Sequence, residues 1–473
     1  MTEAFTLVVK RDCPTCTMLV PVYEQIEASQ PLKILTQDDP SFPSPSAVND
    51  LSLEQSFKLD IETVPTLIKH ADGAEVGRIV GWHREEWETF TGMNDLGPGL
   101  MPAKPGCGAL NVMPGMAERL EVRYGDNSMS AREISVDELN DPVEIAYERG
   151  WSDGLPVVPP TPERVWRMLQ GTSRKPDDIV GIIPPDLVPC TVEKVAINAV
   201  MAGCKPEYMP VILAAVEAAC LDEFGMHGLL ATTYFSGPIV IVNGPIAEKI
   251  GMNAEGNALG QGNRANSTIG RALQLIVRNV GGGKPGEVDR AAMGYPGKHG
   301  FCFAEREHDS PWQPMSVLRG LAPGDSAVTL FAGGGVQGIM DQLSRTAEGL
   351  AHSFAQSLMT VSHYKLAFAT DAILVVSPEH ARVFKQDGWS KQDLVDKIQE
   401  LTKRPGSEIV RRADGNAEGM PEQFAGAEFS KFRPGGLQIV HAGGTAGMFS
   451  AIIAGWVASG PKGSSPVTVK IKE

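Results

Sequence analysis

The sequence predicts an α/β protein in two parts: a small N-terminal domain over residues 1–91 and a larger domain over 119–473 with a mostly parallel sheet. Three observations predict it. A β-rich apolar run, Phe5 to Val9, leads through Cys13-Pro14-Thr15-Cys16 into a helical pattern. Further along, apolar runs of strand length alternate with helical patterns, the order that βαβ units require. Between the two, residues 92–118 read as a Gly- and Pro-rich linker.

Composition narrows the class. The chain has 473 residues, with 42 Lys and Arg scattered among 57 Asp and Glu for a net charge of −15, so a phosphate backbone has no basic stripe to bind and nucleic acid is not expected as a partner. No run reaches the roughly 18 apolar residues of a membrane span, and the opening MTEAFTLVVKRD is too charged and too short for a secretory signal. A soluble cytoplasmic protein with no membrane partner is therefore expected. Seven cysteines with one close pair fit a reducing compartment in which thiols do chemistry or sit in cores.

In the N-terminal domain, Met18, Leu19, Val22 and Ile26 continue a helix from Cys16, which sets the dithiol between a strand and a first helical turn. Unpaired N–H groups there favour the thiolate at Cys13, the attacking sulfur, while Cys16 one turn later resolves a mixed disulfide. Half of a zinc site is the competing reading, but no second CxxC or CxxH follows at ligand spacing. Next come Thr63-Val64-Pro65-Thr66, a strand, a turn at Asp72-Gly73, a strand from Glu75 to Val80 and a helix from Arg84 to Phe90. This order resembles the thioredoxin and glutaredoxin family. The resemblance implies a thioredoxin-like fold with Pro65 cis and facing the dithiol. CPTC is nearer the glutaredoxin CPYC than the thioredoxin CGPC, yet the Gly-Gly and acidic pair that help hold glutathione are missing from Ile79-Val80-Gly81-Trp82-His83. Gln37 to Leu53 read as an inserted loop. Cys107, between two glycines of the linker, is a mobile thiol that exchanges with Cys13 or with the larger domain, or else an incidental loop cysteine.

The larger domain opens on an arm over 119–170, with Thr161 and Pro162 starting a helix. Ile239 to Asn243, Ala327 to Phe331, Ala372 to Val376 and Leu437 to Val440 read as buried strands, each followed by a glycine or proline turn and a helix. Leu330-Phe331-Ala332-Gly333-Gly334-Gly335 and Val440-His441-Ala442-Gly443-Gly444 resemble each other, which suggests duplicated halves, 119–320 and 321–473. Gly334, Gly444 and the strand-end His441 are candidate walls of a substrate site, because glycine turns let backbone N–H groups approach an anion. A third candidate is Gly260-Gln261-Gly262-Asn263-Arg264-Ala265-Asn266. Asn266 or Ser267 would cap the following amphipathic helix, leaving Asn263 and Arg264 free for a carboxylate or phosphate.

Cys190 and Cys204 both precede helices, and Lys205 makes Cys204 the better nucleophile; Cys220 reads as core. His299, Cys302 and Glu305 fall within one short segment, so Cys302 with His299 as base is a further catalytic pair if Gly300 bends the chain. His227, His363 and His441 show no HxH or HExxH spacing, so no metal ligand is assigned, although a metal assembled from distant residues stays open. The phrase Asp153-Gly154-Leu155-Pro156-Val157-Val158-Pro159-Pro160 resembles uncharacterised bacterial proteins found near selenocysteine-bearing relatives, which implies redox biology.

These readings converge on a thiol-dependent redox enzyme. Its Cys13/Cys16 head, kept at high local concentration by fusion, exchanges electrons with a site in the larger domain that acts on a small, anionic substrate. The redox-active dithiol is the only cofactor-like group required; a cellular thiol reductant and a homo-oligomer are the expected partners. Two other readings stay open: a metal-dependent lyase or hydrolase with a structural appendage, and a partner-binding or assembly protein.

Overall fold

The computed structural model describes residues 3–137, 139–368, 371–456 and 464–472. Its class is α/β, and the chain divides into two units, Met1–Asn127 and Ser128–Glu473. Among the described residues no helix is long and apolar enough to cross a membrane.

In the first unit β1 (Glu3–Val9) is central because Phe5, Leu7, Val8 and Val9 are buried, a continuous apolar run that suits a strand covered on both faces. It leads into α1 (Pro14–Met18), α2 (Val20–Ser29), β2 (Leu32–Thr36), β3 (Val48–Asn49) and α3 (Glu54–Lys58). Then follow β4 (Thr63–Val64), β5 (Thr66–Ala71), β6 (Ala74–Val80), β7 (Trp82–His83) and α4 (Arg84–Thr91). The sheet order is β3-β2-β1-β5-β6, with β2 parallel to β1 while β5 and β6 run antiparallel to their neighbours. The inserted loop thus adds an edge strand, β3, and Asp50 in it accepts hydrogen bonds from the N–H groups of Gln55 and Ser56 at the start of α3.

Residues 92–118 are not a free linker. β8 (Ala103–Lys104) pairs with β7, β9 (Cys107–Gly108) pairs with β4, and α5 (Met116–Tyr124) closes the unit. Leu96 and Ala109 are fully buried, and Trp82 Nε1 donates to the Met101 carbonyl at 2.7 Å. Gly and Pro signalled the lack of long regular elements, but here glycine permits contact: a Cβ on Gly106 would lie 2.5 Å from Thr63 Cγ2.

The second unit starts with α6 (Pro142–Glu148), α7 (Pro162–Leu169), the hairpin β10 (Ile179–Ile183) and β11 (Val188–Thr191), and the helices α8 (Val192–Ala202), α9 (Met209–Ala219) and α10 (Met226–Ala231). The sheet is built from β12 (Gly237–Asn243), β13 (Phe301–Ala304) and β14 (Ala327–Met340), then β15 (Ala372–Val376). Between these lie α11 (Pro245–Lys249), α12 (Arg264–Asn279), α13 (Met315–Leu318) and α14 (Ala347–Leu358). After β15 come α15 (Pro378–Gln386), α16 (Lys391–Leu401), β16 (Arg404–Pro405), α17 (Gly406–Ile409) and β17 (Glu428–Phe429). The chain then completes the sheet with β18 (Leu437–His441), β19 (Phe449–Gly455) and β20 (Val467–Lys470).

The order is β13-β12-β14-β19-β15-β18, with β20 also on β14. Only β12/β13 and β15/β18 are parallel; the four other pairings are antiparallel, so the expected mostly parallel sheet is corrected to a mixed one. Each parallel pair is a genuine crossover, but the third strand of each triplet returns antiparallel, a choice that apolar runs do not encode. The two glycine motifs are also corrected. Gly333 to Gly335 lie inside the fourteen-residue β14, and Gly443-Gly444 lead from β18 into β19, so neither opens a helix and the two are not equivalent positions. What repeats is topology: β12-β13-β14 and β15-β18-β19 are the same three-strand arrangement, divided after Met340 rather than at residue 320.

One face of the sheet carries a core shared by both triplets: Ile239, Phe303, Phe331, Ile373, Val440 and Ile453. Outward residues of the first triplet, Val240 and Leu330 among them, pack with α8, α9 and α12; those of the second, Leu374 and Ile439, pack with α14, α15 and α16.

Candidate functional site

Cys13 is the N-cap of α1: its backbone is extended, Pro14 occupies the first helical position, and its Sγ accepts the N–H of Cys16 at 3.3 Å. The Cys16 thiol, helped by the Cys107 thiol and by the N–H groups of Cys16 and Thr15, overcomes burial and holds the Cys13 thiol down at about 5. Cys16 goes the other way, pushed far above the usual thiol range by burial and by the neighbouring Cys13 sulfur. Behind it stands Tyr23, fully buried, whose hydroxyl burial also pushes upward. The Val64–Pro65 peptide is cis, and the Val64 carbonyl lies 3.6 Å from Cys13 Sγ, accepting from the thiol when it is protonated.

The segment Pro102 to Ala109 crosses this centre as a strap. Thr15 Oγ1 donates to the Pro105 carbonyl at 2.7 Å, Lys104 Nζ to the Pro14 carbonyl at 3.3 Å, and the nearly buried Lys10 Nζ to the Gly108 carbonyl at 2.9 Å. β9 sets Cys107 opposite Val64. Cys13 and Cys16 are both 0 % exposed, whereas Cys107 is partly exposed. Both sulfurs of the dithiol at the helix start are therefore covered, and Cys107, expected on a mobile loop, is held by β9 along β4 next to this centre.

The second unit treats its thiols differently. Burial pushes Cys190 and Cys204 up to about 12 and Cys220 to about 11. Cys204 Sγ donates to the Thr268 carbonyl at 3.3 Å, and Lys205 points to solvent, so the charge expected to activate this thiol is screened by water. Cys302 is buried in β13 and its thiol is pushed up by burial, while His299 is exposed on the short turn before it; the expected pair is not assembled as a nucleophile and its base.

The expected anion loop is spent on its own structure. Asn263, not Asn266 or Ser267, caps α12 by accepting the Asn266 N–H. Arg264 donates to the carbonyls of Gly203 and Cys204, satisfying the end of α8. Asn266 is buried and bonds the backbone of Asn253 and Ala258. Gly334 is buried within β14, and Gly444 packs against Gly256, 3.3 Å from where its Cβ would be.

His441 belongs to a buried polar cluster that motif reading missed. Glu305 accepts from Lys391 Nζ at 2.6 Å, Asn243 Nδ2 at 2.7 Å and the Met315 N–H at 2.7 Å; the Glu305 and Lys391 side chains are 1 % and 5 % exposed. Arg306 forks onto Asp309, and its N–H donates to the His441 carbonyl at 2.7 Å, joining the ends of β13 and β18. His441 Nδ1 donates to the Arg306 carbonyl at 2.9 Å, burial lowers the imidazole pKa, and Nε2 is a buried lone pair with no partner among the described residues. The signal was present: Asn243, Glu305 and His441 each stand at the carboxyl end of an apolar run. Lys391 gave none, since a lysine after the Ser390 cap reads as exposed.

A cavity of about 810 Å³ opens elsewhere in this unit, lined by Met129, Trp151, Val157, Val165, Met201 and Asn279 among others. Among the described residues no group of three or more His, Cys, Asp or Glu is placed to hold a metal ion. Comparison of the chain with protein-family models, curated proteins and solved structures returned no match.

Proposed function

We propose that the first unit is a thioredoxin-like thiol–disulfide exchange module. The observation that carries this reading is the Cys13 sulfur acting as the N-cap of α1 and held as a thiolate near neutral pH. The strand order around β1 and the cis Val64–Pro65 peptide beside the dithiol support the family likeness.

The chemistry follows from the two unequal thiols. The Cys13 thiolate attacks a disulfide R–S–S–R′, forming Cys13–S–S–R and expelling R′S⁻. Burial keeps Cys16 protonated and the Cys13 thiolate adds to it; the step removes that second contribution, which eases loss of the Cys16 proton and its attack on Cys13 Sγ. RS⁻ leaves, and two electrons have moved from the cysteines to the substrate.

The wider reading, in which these electrons serve a reaction on a small substrate within the second unit, rests on the tethering of both units in one chain. The 810 Å³ cavity suits a small molecule by size, and its largely apolar lining favours an apolar body over a compact anion. The test of the exchange reading is stopped-flow reaction of the reduced full chain with 5,5′-dithiobis(2-nitrobenzoate). We expect a fast nitrothiobenzoate release that C13S abolishes; equal kinetics in wild type and C13S would overturn it.

A further inference from the structure

We propose that Cys107 is a third redox thiol of this centre, which resolves the mixed disulfide at Cys13 from the strap and so forms a Cys13–Cys107 disulfide without Cys16. The inference rests on the exchange reading above.

Position is the first argument. β9 lies antiparallel along β4 with Cys107 opposite Val64, whose carbonyl meets Cys13 Sγ, and each of the two thiols shifts the proton affinity of the other. A sulfur on that edge lies beside the attacking sulfur before any substrate arrives.

Access is the second. With Cys13 fully covered, an incoming disulfide reaches it only if the strap moves. The strap is held by two two-residue pairings, β8 on β7 and β9 on β4, by the Thr15, Lys104 and Lys10 bonds and by the Arg84 N–H to Pro102 and Ala109 N–H to Glu62 bonds, still a local opening compared with unfolding the five-stranded sheet. When it closes again it returns Cys107 to the sulfur that has just become a mixed disulfide. An extended substrate segment would meanwhile use the vacated β4 edge, so strap and substrate compete for one docking site.

Chemistry is the third. Cys16 must give up its proton inside the core, whereas Cys107 is partly exposed and can pass its proton to water. Burial and the neighbouring Cys13 sulfur push the Cys107 thiol up; the Cys13 part of that push falls away once Cys13 is a mixed disulfide, and Lys10, almost buried and bonded to the Gly108 carbonyl, places an ammonium nearby that acts in the other direction. The step balances: Cys107 loses a proton and its sulfur bonds Cys13 Sγ. The Cys13–S–R bond breaks, and RS⁻ departs to be protonated by solvent. The substrate disulfide is the oxidant, and Cys13 and Cys107 supply its two electrons.

The test uses the full chain and about one equivalent of 5,5′-dithiobis(2-nitrobenzoate), followed by absorbance and by intact and peptide mass. C16S should release about two nitrothiobenzoates per chain, keep no adduct and yield a linked Cys13–Cys107 peptide, while C16S/C107S should release about one and keep the other on Cys13. C16A repeats the measurement should serine disturb the buried pocket. A C16S or C16A chain that holds a stable adduct on Cys13 overturns the role of Cys107 and leaves the dithiol reading intact. Wild type indistinguishable from C13S overturns both.

Discussion

Cys13 and Cys204 both stand just before a helical turn, and both read in the sequence as activated thiols. They end at opposite extremes, Cys13 down at about 5 and Cys204 up at about 12. Capping is one difference. Cys13 is itself the N-cap, so its sulfur receives a helix N–H; Cys204 lies one residue ahead of its cap, Lys205, and its sulfur instead donates to the Thr268 carbonyl. Burial raises both thiols and carries Cys204 up; at Cys13 the Cys16 thiol, the Cys107 thiol and the helix N–H groups outweigh it.

The comparison can be tested from its strongest consequence downward. C13S should cut disulfide exchange by about 10³-fold or more, as expected for loss of a nucleophile, while C204S and C302S should stay within about twofold in the same assay. A Cys204 variant as damaging as C13S would break the comparison.

Next in size is stability. C302S places a hydroxyl in the packed β13 environment and should cost about 1–3 kcal/mol in urea denaturation of the second unit. No loss would mean that β13 admits water.

The pH dependence sharpens the electrostatic half of the argument. Because the folded Cys13 pKa is depressed below the ordinary thiol value of 9.0, the thiolate is lost as pH falls through about 5. Its iodoacetamide alkylation, followed by peptide mass, should therefore be flat from pH 7 to 6 and fall about tenfold by pH 4. The linked stability has the same sign: it is fully present above pH 9 and disappears as pH drops towards 5, so C13S should be relatively more destabilised at alkaline pH. The smallest effect concerns cover. Gly106→Val would drive a Cβ to 2.7 Å from the Val64 carbonyl and lift the strap, raising Cys13 alkylation several-fold with little change in its midpoint pH.

The legible parts were those whose signals are local. Strand, CxxC and helix follow one another in sequence, so the dithiol could be read directly, as could the apolar runs of the larger sheet. Strand direction could not, because Ala327 to Phe331 looks alike whether its chain crosses over or doubles back. The strap was hidden for a related reason: Gly106 and Gly108 mark flexibility in a free chain, yet tolerate close pairing once β4 is beside them. The Glu305–Lys391 pair was illegible because 86 positions separate its members, and only the folded sheet brings them together.

On the edge away from β12, β14 is served by two partners: β20 covers residues 327–330, and β19 takes over from Gly333 to Met340. Neither partner alone satisfies the whole strand. During synthesis, the first triplet therefore waits for segments more than a hundred residues downstream, and until Val467–Lys470 emerge from the ribosome the edge of β14 away from β12 keeps an unpaired ladder at residues 327–330, open to any passing strand. The second unit is thus a body that closes late, with one edge of β14 guarded by a strand made long after it.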